Sequence, residues 1–349
     1  MADRQNMADV EPRESLIAHL RGRQAVAVGK RLIRKYPDFT GGYELAARGY
    51  DDLGRHKRAV RILELAVRRV ARLADAWRLL ESLAIRYSDL GRLGEALEVL
   101  DKALALASDR ATLHYNRALA LVRVNRSEPA LCAALRALEL DPNLTSASLL
   151  AAALECAAGQ LNGARERLEA TIARLLAEEP PQREETALSD AYRALAEIEL
   201  AYGRRDRALE LFWQAIACEK HNAAARYWVR ELSGGRNSAS CYWRIVMRGR
   251  WPEGKVRPCQ TPRGVAAETE DSSRAEATAP GGHGFQTLYD VVAESPEEAL
   301  GLIRPFEPPE VRPSLRVDSA KIMKRSVADP KGVYRTSPYR WLDSGGKFE

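Results

Sequence analysis

The stretch from Ala111 to Leu144, ATLHYNRALALVRVNRSEPALCAALRALELDPNL, decides how the chain is read. Small residues stand at Ala118, Ala130 and Ala137, and the stretch ends in Asp141-Pro142. Two antiparallel helices joined by a tight turn account for the pattern. Alanine lets the helices approach closely, and Asn125 sits in the turn. Pro129 falls at the start of the second helix, where a missing N–H costs little. Nothing in the stretch is arranged for catalysis.

The pattern recurs on both sides. The alanine after the turn appears at Ala25, Ala59, Ala96, Ala130, Ala164 and Ala208, with steps of 34, 37, 34, 34 and 44. A second series, Leu32, Ala66, Ala103, Ala137, Thr171 and Ala215, takes the same steps. A third runs Ala47, Ala84, Ala118, Ala152 and Ala196. Turn residues precede the first series by five: Gly54, Gly91, Asn125, Gly159 and Gly203. Glycine reaches positive φ without strain, which suits a sharp turn. A helix pair cannot bury its apolar face alone, so neighbours stack into a solenoid. The three extra residues near Trp77 predict a longer first helix in that unit. The ten before Ser189, with EEPPQREET, predict a long charged loop. The N-terminal unit reads as truncated or poorly formed.

This unit resembles the tetratricopeptide repeat, a helix-turn-helix of about 34 residues. The family's large residue early in the first helix is matched by Tyr43, His114 and Tyr192, and its aromatic two turns on by Tyr50 and Tyr87. Its terminal proline is kept at Pro37 and Pro142, while Leu121, Glu155 and Glu199 depart from the aromatic position. The resemblance spans about residues 15–232, five to six units closed by the helix NAAARYWVREL. It implies a concave groove lined by first helices that holds a peptide or protein segment. Carried over position by position, the groove residues are Glu44, Arg48, Arg78, Glu81, Tyr115, Asn116, Arg123, Arg193 and Glu197. Leu149 and Ala153 add an apolar patch. Asn116 matches the asparagine of the carboxylate clamp seen in some members, but the clamp's paired lysines are absent.

Composition sets the frame. The chain has 349 residues, 46% hydrophobic and 29% charged, with a net charge of +6. The five cysteines are odd in number and form no CxxC, so a disulfide framework is not expected. The start, MADRQNMADVEPRESL, carries acids and no apolar core of a signal peptide. A cytoplasmic protein without a membrane partner is expected.

After Gly235 the alanine lattice stops, and eleven of the 17 prolines lie beyond residue 240. CYWRIVMRGRW alternates, with Trp243, Ile245, Met247 and Trp251 on one face and Arg244, Arg248 and Arg250 on the other. GFQTLYDVVAE alternates through Phe285, Thr287, Tyr289 and Val291. SPEEALGLIRPF reads as a helix capped by Ser295 and opened by Pro296. SLRVDSAKIMKR and KGVYRTSPYRWL read as two further strands. The expected organisation is a flexible start at 1–14, an α-helical solenoid at 15–232, a linker at 233–240 and a small α+β domain at 241–349. Within that last domain, the Pro/Gly/Ala/Ser-rich segment 253–283 reads as a disordered insert.

No phosphate loop, dinucleotide fingerprint, zinc-protease motif or nucleophile elbow occurs. Cys218 and His221 lack two further ligands nearby, so neither metal nor cofactor is expected. Catalytic residues are not assigned. The arginines and aromatics of YWRIVMRGRW read as a solvated face and a core, so nucleic acid is not the expected partner. The function expected is a non-catalytic scaffold that binds a protein or peptide. The alternatives are an enzyme or small-ligand module in the α+β domain, or a nucleic-acid binder.

Overall fold

The computed structural model describes residues 20–70, 75–178, 184–235, 239–252, 284–325, 327 and 329–342. The expected flexible start at 1–14 and the expected insert at 253–283 lie outside the described residues. Helices come first: α1 Gly22–Lys35, α2 Thr40–Asp52, α3 His56–Val70, α4 Ala76–Asp89, α5 Leu93–Leu106 and α6 Ala111–Arg123. They continue as α7 Ser127–Leu140, α8 Thr145–Ala157, α9 Leu161–Ala177, α10 Glu185–Ala201, α11 Arg205–Cys218 and α12 Ala223–Ser233. Then follow β1 Cys241–Arg250, β2 Gly284–Ala293, α13 Pro296–Ile303, β3 Arg316–Lys324, β4 Gly332–Thr336 and β5 Arg340–Leu342. The chain forms two compact units, residues 1–160 and 161–349.

In the first unit, consecutive helices from α1 to α8 pack in chain order, and the first helices α2, α4 and α6 also touch one another. The alanines that define the repeat are the contact points. Ala25, Ala59, Ala96, Ala118 and Ala130 are all fully buried. The turns have the expected backbone, with φ of 66° at Gly54, 75° at Gly91, 59° at Asn125 and 77° at Gly159. Asn125 is the one non-glycine with positive φ among the described residues. Asparagine tolerates this region better than most residues because its short amide bonds locally.

Residues 1–19, which would hold the first helix of the N-terminal unit, lie outside the described residues. The second helix of that unit, α1, is packed on α2 through glycine, since a Cβ on Gly29 would stand 2.7 Å from the Ala46 nitrogen, and one on Gly49 2.7 Å from the Gly22 carbonyl oxygen. One expectation needs correction. The extra residues near Trp77 add no turn to α4, which has 14 residues against 13 in α2.

In the second unit, α9 and α10 have 17 residues each, against 14 in α11. The ten-residue insertion therefore lengthens helices as well as their connection, whose residues 179–183 lie outside the described residues. The strands form one antiparallel sheet in the order β3-β1-β2-β4, with β5 pairing the start of β2 on the same edge as β4. Ile245 and Met247 on β1 and Phe285, Thr287, Tyr289 and Val291 on β2 are buried, on the expected face. The expected single last strand is two, because Ser337 and Pro338 turn out of the ladder. Pro338 has no N–H to donate, and the Ser337 side chain accepts from the Leu288 nitrogen instead. Helix α13 is capped as expected, with Ser295 Oγ accepting from the Glu298 nitrogen at 3.2 Å. The sheet packs α13 and α12.

Candidate functional site

The expected groove residues fall on first helices, nine in the first unit and two, Arg193 and Glu197, on α10 in the second. Most of the polar ones already have partners within the array. The Asn116 amide donates to Glu81 at 2.9 Å, and Arg123 donates to the Ser88 carbonyl. Two further bonds of the same kind escaped the sequence reading: Thr40 donates to Asp75 at 2.9 Å and Arg86 to Asp51 at 2.5 Å. All four link residues 35 apart, and three join side chains, so a complementary pair about one repeat apart was the available signal for those three. These bonds hold successive first helices together.

The other groove residues separate by location. Glu44 and Arg48 are half-buried on α2. Burial and the neighbouring Arg21 push the Arg48 guanidinium below its usual range, against the pull of Asp52 and Glu44. Arg78 lies 5.5 Å from the Trp77 ring centre, and Arg110 lies 5.0 Å from the same ring. Arg193 and Glu197 pair with each other at 2.9 Å. Tyr115 and Leu149 are half-buried and Ala153 is exposed. Tyr115 and Leu149 are 34 residues apart and so occupy the same position in consecutive repeats. Together with Leu150 and the exposed Leu119, one turn after Tyr115 on α6, they carry apolar surface on this side.

A second cluster, in the second unit, was not legible beforehand. Glu307 is 1% exposed. Its carboxylate accepts from the hydroxyls of Tyr289 and Tyr339 and pairs with the Lys220 ammonium at 3.3 Å. The ammonium stands 3.4 Å from the centre of the Tyr339 ring. Burial pushes Lys220 down against the pull of Glu307, and burial beside Glu307 pushes both tyrosine hydroxyls up. A cleft of about 550 Å³ borders the cluster, walled by Cys218, His221, Trp251, Phe306, Pro308 and Tyr339. Cys218 and His221 thus both line this cleft. Both carboxylate oxygens of Glu307 are occupied, so the cluster acts as a joint between the loop after α11 and the sheet. Arg230 on α12 makes a second joint, donating to the Val333 carbonyl at 2.7 Å with its guanidinium 4.0 Å from the Tyr334 ring centre.

Among the described residues, no helix is long and apolar enough to cross a membrane. No curated protein sequence matches the chain. Solved structures with similar arrangements include MamA from Desulfovibrio magneticus RS-1, 18% identical, covering 52% of this chain and 94% of that one with a TM-score of 0.43. Another is YrrB, described as a TPR protein with an unusual peptide-binding site, 20% identical over 58% of this chain and 97% of that one, TM-score 0.44. Human IFIT1 with m7Gppp-AAAA is 20% identical over 58% and 48%, TM-score 0.49. A family profile described as TPR repeat matches residues 86–125, the turn end of α4 through α6. With that match and the helix pairs that extend its spacing on both sides, the helical part of this chain, α1 to α12, is a tetratricopeptide-repeat array.

Proposed function

We propose that the chain is a protein-binding scaffold and that the side of the first unit lined by α6 and α8 holds an extended or helical segment of a partner protein. The observation that supports this reading is the division of labour on that side. Asn116, Glu81 and Arg123 are engaged between repeats, while Tyr115, Leu149 and Leu150 keep apolar surface available. The bound segment therefore needs one or two hydrophobic anchors, with its charges meeting Arg78 and Glu44 at the margin.

The test is a set of peptides selected from a display library on the full chain, measured against two variants. Leu149→Asp with Ala153→Glu removes the anchors and is expected to weaken binding at least tenfold. Asn116→Ala with Arg123→Glu is expected to lower the melting temperature more than it changes affinity. Selected peptides that bind the Leu149→Asp, Ala153→Glu variant unchanged, with the fold intact, place the binding site elsewhere.

A further inference from the structure

The two outermost described second helices, α1 and α3, both pack on α2, and their solvent faces are basic. On α1, Arg23, Lys30, Arg31, Arg34 and Lys35 are exposed. Their spacing puts them on one stripe, opposite buried Ala25 and Gly29. On α3, Lys57, Arg58, Arg61, Arg68 and Arg69 are exposed, opposite buried Ala59, Leu63 and Ala66.

The two helices hold ten cations against one acid, Glu64, a balance of +9 where the whole chain carries +6. Glu64 is turned to the next pair, accepting from the Tyr87 hydroxyl at 2.8 Å. None of the ten cations is in an ion pair among the described residues. Lys30 and Lys35 stand 5.6 Å and 5.1 Å from the Tyr50 and Tyr36 ring centres, and Arg68 donates to the Glu64 carbonyl at 3.2 Å. The charge is local to this end of the array. The next second helix, α5, carries Glu95, Glu98 and Asp101 against Lys102.

We infer that this face binds the phosphate backbone of double-stranded nucleic acid without reading its sequence. Clustered unpaired cations raise the local concentration of a polyanion and gain from counterion release. Seven of the ten are arginines, whose planar forks suit phosphate oxygens. A bilayer surface needs apolar side chains to embed, and among large hydrophobics these two helices expose only Leu65. Single strands are held by stacking on aromatic rings, and this face exposes none: Tyr36 is half-covered and Tyr50 buried. An acidic peptide needs side-chain pockets between the charges, and the exposed residues between them on α1 are only Gln24 and Ala27. The expectation against nucleic acid rested on β1, which is a different surface.

The experiment uses the full chain and a labelled 20-base-pair duplex of mixed sequence, read by fluorescence anisotropy from 50 to 200 mM salt. Saturable binding is expected, with log affinity falling steeply against log salt. Arg31→Glu with Arg34→Glu and Lys35→Glu should make that slope shallower by about 2.7, at roughly 0.9 per lost phosphate contact. Lys57→Glu with Arg58→Glu and Arg61→Glu should do the same. Lys102→Glu with Arg136→Glu, on α5 and α7, should change nothing, and neither should the groove variants. Three results overturn the inference: no saturable binding at 50 mM salt, slopes unchanged in both triple variants, or tighter binding of polyglutamate, phosphatidylserine vesicles or a single-stranded 20-mer than of the duplex.

Discussion

Glu307 shows what a single residue does here. It is a buried carboxylate with three donors, and removing it leaves the Lys220 ammonium without its counter-charge. Breaking a buried pair from one side costs about 3–5 kcal/mol, whereas an exposed pair contributes about 0–1 kcal/mol. Glu307→Ala is therefore expected to lower the urea midpoint strongly. Glu139→Ala, which breaks the exposed pair with Arg136 at 2.7 Å, is expected to leave it nearly unchanged. Equal shifts would contradict the assignment of the joint. Beside it, loss of water around the ring and the Lys220 and Arg226 cations push His221 down to about 4, against the pull of Glu307 and the Thr336 backbone. In the unfolded chain a histidine takes its proton near 6.5. Between those values the unfolded state binds more protons, so this residue withdraws stability as pH falls from 6.5 to 4 and adds no further change below. The check is the difference between wild type and His221→Gln. The variant should lose less stability across that window, and parallel pH profiles would refute the linkage.

At the scale of the element, the spacing of two helices depends on what stands between them. Gly29→Ala puts a methyl group within 2.9 Å of three atoms of α2. Alanine gains about 1 kcal/mol of helix propensity over glycine, but overpacking a close contact costs about 1–3 kcal/mol. The net change should be destabilising. Gly94→Ala, in the first turn of α5 with nothing within 4 Å of the added carbon, should stabilise by up to about 1 kcal/mol. A differential thermal melt decides between them, and the same sign for both would remove the packing argument. Ala118→Leu belongs with Gly29→Ala, because Ala118 is fully buried between α6 and its neighbours. Arg126→Leu, exposed in the turn, is its near-neutral control. The helix pairs, their turns and the buried faces of β1 and β2 were legible from the chain because each is set by residues within one repeat or one strand. The glycine contacts of α1 and α2 were not, since a search for alanine passes over positions where even a methyl group is too large.

At the scale of the whole molecule, the sheet belongs to the same compact unit as α9 to α12, and two joints tie them, through Glu307 and through Arg230. Arg230 also fills the space beside Gly332, where a Cβ would stand 2.7 Å from the arginine Cγ. Arg230→Ala should therefore loosen β4 from α12. Amide exchange of residues 332–336 should accelerate while that of α4 to α6, in the other unit, stays as it was. Unchanged protection of β4 would show that the arginine is not what holds it.

By itself the sequence determined the repeat and its helix pairs, the five tight turns, the order of strands around α13 and the buried faces of β1 and β2. Each is written in a short period, where local geometry converts spacing directly into shape. Only the tertiary structure decided that β3 and β4, neighbours in the chain, lie on opposite edges of the sheet, and that Lys220 meets Glu307 from 87 residues away. Those outcomes depend on how finished elements dock. Docking is governed by shape and buried charge over the whole assembled surface, which no local pattern along the chain records.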